Sequence, residues 1–336
     1  MVTDKPVHSV GHVKGMGPQR VWRWEIAIYL YLAGMGAGAY VVGMVIHWFI
    51  NPELPVILFG FNFDLAKPAL FWGPLFVAIG APFLILDLGI KKRFLYACLN
   101  PKTSWVARGF LILSTFIVLG LIVFGISFLF PRLFIDPPAA LIALEGISLI
   151  FALGTAIYTG ILLKSVKYVP IWNTPLLPVL FLASALSTGS MGIILAMMGS
   201  GLIFSSETLI FVAQRIVSSE QVLIVIEAVI LAFYLYCRYR VKDQGETSVR
   251  MLLSGNLKPI FWGGIVLTGF VFPVALEYIY SCCPDYPPLL YATGILLLCG
   301  GFFLRLGVLA SGVKEQLPMH KLVEIKAHLR PLDKNL

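Results

Sequence analysis

The amino-acid sequence predicts an all-α integral membrane protein with eight transmembrane helices arranged as two four-helix bundles. The first observation is composition: 59% of the residues are hydrophobic and only 12% are charged, whereas soluble domains carry about 25% charged residues. The second is the recurrence of apolar stretches long enough to cross a hydrocarbon core of about 30 Å as a helix. The third is a short repeat, LYLA at 30–33 and LFLA at 180–183. It lies in the first and fifth predicted helices and suggests two related halves.

The eight predicted spans are joined by short loops, which leave no room for a second folded domain. They cover residues 26–48, 69–90, 107–130, 139–163, 175–199, 219–238, 259–280 and 288–310. Residues 25–311 are therefore expected to form one membrane domain, between a polar N-terminal segment at 1–24 and a polar C-terminal tail at 312–336. The N-terminal segment lacks the apolar core of a signal peptide, so the first helix is expected to be retained.

The first five predicted helices have local justifications. Small residues from Ala33 to Gly38 allow helix 1 to approach a neighbouring helix closely. Helix 2 runs into the charged segment that begins at Asp87, and Trp105 marks the membrane interface before helix 3. Helix 4 ends at a polar turn, and Pro175 opens helix 5, since proline is well tolerated in a first helical turn.

That polar turn is unusually rich for a link between two membrane helices. It places cationic, indole and amide groups at one membrane interface, a few residues after the phenol of Tyr158. Such a surface is suited to contact with a quinone and indicates redox chemistry. Its polar residues are Lys164, Lys167, Trp172 and Asn173.

Positive charge is distributed very unevenly along the chain. The net charge is +8, and all but three of the 25 lysine and arginine residues fall on the side that carries both termini. The positive-inside rule therefore predicts that both termini are cytoplasmic. A nucleic-acid partner is not needed to explain this charge. The three basic residues on the opposite side are Lys67, Arg132 and Arg215.

The sequence argues against a haem or an iron–sulfur cluster within this chain. A membrane haem of the b type needs axial histidines inside the spans, and only His47 lies near a span, at its far end. The five cysteines lack the CxxC spacing of iron–sulfur or zinc sites, so no metal is expected. The histidines are His8, His12, His47, His320 and His328, and the cysteines are Cys98, Cys237, Cys282, Cys283 and Cys299.

Carboxylates inside the predicted spans are costly and usually have a purpose. Glu227 is the deepest, so it is a candidate for proton handling. Glu145 and Glu277 lie nearer the outer face, where a snorkelling or paired role competes with a proton path. Glu25 and Asp87 lie at helix ends, where each either pairs with nearby basic residues or acts in the chemistry.

Four segments resemble the NrfD/PsrC family, the quinone-interacting membrane subunits of polysulfide reductase-like respiratory complexes. They occur in family order and together span almost the whole chain. The most specific is the run at 158–189, which begins YTG. The segments are WRWEIAIYLYLAGMGAGAY at 22–40, LDLGIKKRF at 86–94 with NPKTSWVARG at 100–109, the run at 158–189, and GGFFLRLGVLASG at 300–312.

The resemblance implies eight helices in two four-helix bundles, no haem in this subunit, and electron exchange between the membrane menaquinone or ubiquinone pool and a docked multi-cluster iron–sulfur subunit. Further catalytic subunits are also implied. In the family the tyrosine of the YTG motif contacts the quinone, which implies Tyr158 here. The resemblance also implies Tyr29 for the quinone site, with Glu25 a turn earlier, and it keeps Asp87 as a candidate for the chemistry. Trp105, Arg108 and Thr159 are further candidates for quinone binding, and Arg108 is also a candidate for facing an acidic partner subunit or for following the positive-inside bias.

The sequence leaves two possible roles open for several residues. Trp105 and Trp172 are each a stacking residue for the quinone ring or a membrane anchor. Arg93, Lys164, Lys167 and Asn173 are candidates for partner docking, although the basic residues among them also follow the positive-inside bias. The motif LDLGIKKRF departs from the LDLGRPERF of many relatives, and tyrosine replaces a histidine found in the first helix of some.

The alternatives to a quinone-reactive subunit are a proton-translocating or transporter-like protein and a purely anchoring subunit. Glu145, Glu227 and Glu277 favour the first, together with prolines inside helices, because ion paths often run along broken helices. In the family's best-known members the iron–sulfur partner sits outside the cytoplasm. The charge distribution predicts a cytoplasmic partner here.

Overall fold

The computed structural model describes residues 24–50, 56–58, 61–63, 67–86, 104–199, 207–282 and 288–314, and these are mostly helical. Within them, eight helical segments are long and apolar enough to cross a membrane, which confirms the predicted number of spans. The division into two four-helix bundles stays a prediction. In chain order the elements are α1 Trp24–Ile50, β1 Val56–Leu58, β2 Phe61–Phe63, α2 Lys67–Leu86, α3 Trp105–Leu129, α4 Pro131–Ile135, α5 Ala139–Lys164, α6 Leu176–Gly199, α7 Glu207–Arg240, α8 Gln244–Leu253, a π-helix Pro259–Val271 that continues into α9 Phe272–Cys282, and α10 Pro288–Ala310.

Most helix boundaries agree with the predicted spans, but the sixth differs. The sequence predicts a span at 219–238, whereas α7 has 34 residues and begins at Glu207. A helix needs only about 20 residues to cross the hydrocarbon core. Helix α7 therefore continues beyond the predicted span toward the face opposite the termini.

Helices α1 and α6 run side by side in the same direction. They approach each other closely because the glycines at their contact have no side chains. A β-carbon on Gly38 would overlap the backbone of Ala185, and one on Gly189 would overlap the backbone of Gly38 and Ala39. Close approach of backbones is how small residues join membrane helices. These contacts place the repeated strings LYLA and LFLA at the same depth in neighbouring helices.

The seventh span begins as a π-helix. The amide of Phe272 donates to the carbonyl of Leu267, and Thr268 Oγ1 donates to the carbonyl of Gly263 over 2.7 Å, both across five residues. The α-helical pattern resumes at Phe272–Pro273. Long π-helical stretches are rare and often mark functional positions.

Candidate functional site

The phenol groups of Tyr29 and Tyr158 form the centre of a polar cluster near the face that carries the termini. Tyr29 of α1 is fully buried, Tyr158 of α5 is 1% exposed, and the two are close enough to interact electrostatically. Helix α2 closes another side, since Gly80 packs against the backbone of Tyr29. Three helices thus bring two tyrosine side chains together from distant parts of the chain.

Helix α3 fixes the position of Tyr158. The Tyr158 hydroxyl donates to the carbonyl of Trp105 over 3.1 Å, and its ring occupies the space that a side chain on Gly109 would fill. Ser104 caps the helix by accepting a hydrogen bond from the amide of Ala107 at 3.3 Å. The first turn of α3 is therefore a rigid support for the phenol.

Two polar atoms in this cluster lack a hydrogen-bond partner among the described residues. They are the hydroxyl of Tyr29 and one carboxyl oxygen of Glu25. Glu25 lies in the first turn of α1, four residues before Tyr29, so both lie on the same face of the helix. Because buried polar groups are nearly always hydrogen-bonded, these atoms are suited to receive a polar ligand.

Arg305 is the centre of a second polar cluster, and it is fully buried. Its Nε donates to the carbonyl of Leu30 at 3.2 Å, and its Nη1 donates to the hydroxyl of Ser184 at 3.0 Å and to the carbonyl of Gly301 at 2.9 Å. Its guanidinium carbon lies 5.5 Å from the ring centre of Tyr31 and 5.4 Å from that of Phe181. These two rings occupy equivalent positions in the repeated strings LYLA and LFLA.

A line of carboxyl groups extends from Arg305 along α7. Glu227 is close to Ser184 and within electrostatic range of Arg305. Glu220 accepts a hydrogen bond from Ser187 at 3.0 Å and faces the carboxyl group of Glu277. All three carboxylates are buried.

A third polar cluster lies at the far end of α1. Glu145 of α5 is fully buried and accepts a hydrogen bond from the indole of Trp48 at 2.8 Å. One of its carboxyl oxygens lies 3.7 Å from Nε2 of His47. The hydroxyls of Tyr40 and Ser148 are 2.7 Å apart beside them. Glu145 is thus held by its own partners, apart from the line on α7.

Comparison with known proteins identifies the family. The family model described as "Polysulphide reductase, NrfD" matches residues 12–315. The chain belongs to this NrfD family. It is 29% identical to the C chain of the polysulfide reductase of Wolinella succinogenes over 273 residues, which cover 76% of this sequence and 83% of that protein. It is 26% identical to protein NrfD of Escherichia coli over 324 residues, which cover 87% of this sequence and 95% of that protein.

Membership of the NrfD family and the eight candidate spans show that this is a multi-pass membrane protein. The resemblance seen in the sequence segments is thereby confirmed over most of the chain. The described residues contain no group of three histidine, cysteine or acidic side chains that could hold a metal ion.

Several predicted site residues can now be located. Trp105 is 43% exposed and lies under the guanidinium of Arg108, whose central carbon is 4.6 Å from the ring centre. Thr159 is buried next to Tyr158, but its hydroxyl donates to the carbonyl of Ala156 at 2.7 Å. Asp87 and Arg93 lie outside the described residues.

The polar turn between α5 and α6 divides into an exposed and a buried part. Lys167 and Asn173 are exposed and Lys164 is half-buried; their role in partner docking stays a prediction. Trp172 fits neither the anchoring role nor the stacking role predicted for it, because it is 2% exposed and its indole donates to the carbonyl of Val308 at 2.8 Å. It neither anchors the chain at the membrane surface nor presents its ring as a stacking platform.

Two functional candidates were missed from the sequence. Because Arg305 lies near the end of the last span, the sequence predicts a charge at the membrane edge. In the structure its side chain is instead buried in the protein interior. Glu220 falls at the margin of the predicted sixth span. Its spacing of seven residues from Glu227 was an available signal, because residues seven apart share a helix face.

Two apolar clefts lie away from these clusters. One, of about 300 Å³, is lined by parts of α1, α6 and α7, and the other, of about 460 Å³, by α1, α2 and α6. Neither contains a tyrosine or a carboxylate. Arg215 lines the first cleft, and the buried carboxylates and the paired tyrosines described above lie outside both clefts.

Proposed function

We propose that this protein is the quinone-reactive membrane subunit of a polysulfide reductase-type respiratory complex. It would exchange electrons between the membrane quinone pool and a docked iron–sulfur subunit. The observation that carries the proposal is the pairing of Tyr29 and Tyr158 beside Glu25, with the Tyr29 hydroxyl and a Glu25 oxygen left without partners among the described residues. Membership of the NrfD family and similarity to a subunit of a polysulfide reductase support it.

The residues of the cluster fit the polar head of a quinone. Oxidation of a quinol to a quinone releases two protons and two electrons, and the electrons pass to the iron–sulfur partner. Tyrosine hydroxyls both donate and accept hydrogen bonds, so Tyr29 and Tyr158 can hold the two redox states of the substrate oxygen. Glu25 can accept a proton as a general base, and its place in the first turn of α1 brings that proton close to the membrane face.

The partner would dock at the face that carries the termini. Lys167 and Asn173 are exposed in the turn just after the helix of Tyr158. The guanidinium of Arg108 stacked on Trp105 adds a further cation at this end of α3. Positive side chains near the tyrosines would attract an acidic partner surface and keep the electron path short. The excess of basic residues on this face favours a cytoplasmic partner.

A purely anchoring role is the alternative, and hydroxyl removal tests it. Tyr29→Phe and Tyr158→Phe keep the rings that pack the cluster but remove the groups that would bind the substrate. In the purified complex we expect each variant to slow oxidation of a menaquinol analogue by roughly 10- to 100-fold, which corresponds to the loss of a hydrogen bond worth about 1.5–3 kcal/mol to a developing charge. Assembly of the complex is measured by its subunit composition.

Tyr234→Phe is the matched control. Tyr234 is also fully buried, and its hydroxyl donates to the carbonyl of Ile171 at 2.7 Å, but it lies on α7 rather than on the helices that carry Glu25, Tyr29 and Tyr158. We expect this variant to oxidise the quinol at the rate of the unaltered complex. Full activity of both Tyr29→Phe and Tyr158→Phe in assembled complexes would favour the anchoring role instead.

A further inference from the structure

We propose that the cleft between α1 and α7 binds one phospholipid with an anionic headgroup, in the membrane leaflet on the side opposite the termini. The phosphate of this lipid contacts the guanidinium of Arg215, and one acyl chain lies along the apolar walls of the cleft. The site shares no residue with the cluster of Tyr29 and Tyr158. Its occupancy involves no transfer of electrons or protons.

The cleft is a gap in the packing of three helices. Helix α6 packs against both α1 and α7, and a volume of about 300 Å³ stays open where the three helices meet. This volume is at the lower end of the range for small-molecule sites. An α-helix is about 10–12 Å across with its side chains, which is too wide for the cleft, whereas an unbranched hydrocarbon chain is not. The occupant is therefore a chain molecule rather than a helix of another protein.

The polarity of the α7 wall changes along its length. Arg215, Ser219 and Leu223 all line the cleft. They are spaced four residues apart, so they share one face of the helix. The distance from Arg215 to Leu223 corresponds to about 12 Å along the helix axis. A charged, a hydroxyl and an apolar side chain thus follow one another in the order of the phosphate, the ester groups and the acyl chain of a phospholipid.

Helix α6 repeats this order on the second wall. Ser190 lies closer to the face opposite the termini, and Leu186 lies one turn deeper. The hydroxyl of Ser190 donates to the carbonyl of Leu186, and that of Ser219 to the carbonyl of Arg215, each over 2.8 Å. Both serine hydroxyls are thus already bonded within their own helices. The guanidinium of Arg215 is the group that distinguishes one headgroup from another.

Arg215 lies at the depth of lipid phosphate groups. Helix α7 also carries Arg238, near the face of the termini. The two arginines are separated by about 35 Å along the helix, compared with about 30 Å for the hydrocarbon core. Because Arg215 is exposed, its side chain can reach a headgroup at this level.

The charge of Arg215 favours a phosphate. It is one of only three basic residues assigned to this side of the membrane, so the positive-inside bias does not account for it. A guanidinium has five N–H donors, enough to keep a contact within the protein and bind a phosphate as well. None of the residues that line the cleft is acidic. An uncharged quinone would gain less from this group, because hydrogen bonds between ionised partners are stronger.

The first test compares two headgroups. The intact complex is purified in detergent, stripped of loosely bound lipid, and incubated with phosphatidylglycerol or phosphatidylcholine of identical acyl chains. Native mass spectrometry then measures the affinity for the most tightly held lipid. We expect phosphatidylglycerol to bind more tightly than phosphatidylcholine. Arg215→Gln should weaken phosphatidylglycerol binding about fivefold, the effect of one basic residue at a membrane surface, and leave phosphatidylcholine binding unchanged.

Arg132→Gln is the matched control for the charge. Arg132 is an exposed basic residue on the same side of the membrane, on α4, and it does not line the cleft. This variant should bind phosphatidylglycerol as the unaltered complex does. An equal loss in Arg132→Gln and Arg215→Gln would mean that overall surface charge, rather than this cleft, selects the lipid.

The second test blocks the space for the acyl chain. Val45 lines the cleft and is 44% exposed, so the larger ring of Val45→Phe can enter the cleft without displacing core residues. This variant should weaken the binding of both lipids, whereas Arg215→Gln affects only the anionic one. Val118→Phe is the control, since Val118 is exposed on α3 and does not line the cleft. Equal lipid binding by Val45→Phe and Val118→Phe would contradict the position of the chain.

A photoreactive lipid locates the site directly. Phosphatidylglycerol with a diazirine in its acyl chain should label the α7 segment 216–223 or the α1 segment 41–46, and Val45→Phe should reduce this labelling. Equal affinity of the unaltered complex for the two headgroups, or a quinone as the molecule held in the cleft, would overturn the proposal. None of these measurements requires quinol oxidation, so the lipid site and the quinone function can fail separately.

Discussion

The phenol ring of Tyr158 lies directly over Gly109, in the space where any other residue would carry its β-carbon. This contact joins α3 to α5 at the candidate quinone site. Because the hydroxyl also donates to the carbonyl of Trp105, the hydroxyl end of the ring is held by two contacts with the start of α3. The position of Tyr158 therefore depends on the absence of a side chain one turn into α3.

Gly109→Ala should consequently disturb the site without touching a polar group. The added methyl group must displace the Tyr158 ring, and a misplacement of about 1 Å in a catalytic site can cost on the order of 100-fold in rate. We expect a large loss of quinol oxidation in the purified complex. The rate is measured with a menaquinol analogue, and subunit composition confirms assembly.

Gly125→Ala is the control on the same helix, since nothing lies within 4 Å of a β-carbon at Gly125. This variant should retain the activity of the unaltered complex. If Gly109→Ala were as active as Gly125→Ala, Tyr158 would not be held for quinone chemistry at this place.

The candidate quinone cluster was largely predictable, because its residues belong to motifs close to helix ends. Tyr158 follows from the YTG string, and Tyr29 from its place one turn after Glu25 in the first helix. The support from Gly109 was not predictable. Glycine is common in membrane helices, and only the packing of α3 against α5 distinguishes Gly109 from Gly125.

Burial was the main feature that the sequence did not reveal. Trp172 and Trp105 both occur in polar segments beside a span, where tryptophan is typically an interfacial anchor. The structure buries Trp172 and exposes Trp105, because the turn after α5 folds back against α10. Arg305 was misjudged for a similar reason, since distance from a helix end does not tell which way a side chain turns.

The π-helix had no sequence signature either. Residues 259–271 are as apolar as any other span, and composition cannot distinguish hydrogen bonds across five residues from those across four. Only Pro273, which lacks an amide donor, marks the place where the pattern changes.

Trp172→Phe should weaken the fold rather than the chemistry. The phenyl ring fills most of the same space but cannot donate to the carbonyl of Val308, which keeps its hydrogen bond from the hydroxyl of Ser311 at 3.0 Å. Losing one hydrogen bond of this kind costs about 0.5–1.5 kcal/mol. We expect a lower midpoint of thermal unfolding in detergent, with the quinol oxidation rate of the assembled complex unchanged at low temperature.

Trp105→Phe provides the comparison for Trp172. Its indole is 43% exposed, and its contact with Tyr158 uses the backbone carbonyl, which the substitution keeps. Thermal stability should therefore change less than in Trp172→Phe. Equal loss of stability in the two variants would contradict the structural role assigned to Trp172.

Gly300→Ala should separate the π-helix from α10. A β-carbon on Gly300 would overlap the backbone of Gly269, so the two helices would have to move apart. Overpacking of this kind costs about 1–3 kcal/mol. We expect a lower unfolding midpoint in detergent.

Gly263→Ala tests whether the effect is local, because nothing lies within 4 Å of a β-carbon at Gly263 in the same π-helix. Alanine is favoured over glycine inside helices by about 1 kcal/mol. Stability should therefore stay equal or rise. A comparable destabilisation by both substitutions would mean that the π-helix itself, rather than its contact with α10, is sensitive to the change.

The membrane orientation can be tested by fusing a reporter enzyme that is active only outside the cytoplasm. Because basic residues are concentrated on the side of the termini, the positive-inside rule predicts an inactive reporter after Leu336. The same reporter inserted at Asp136, between α4 and α5, should be active, since an odd number of described spans separates the two positions. Activity at Leu336 and silence at Asp136 would invert the orientation. The exposed Lys167 and Asn173 would then face a partner outside the cytoplasm, and the basic residues on that face would have to be explained by docking alone.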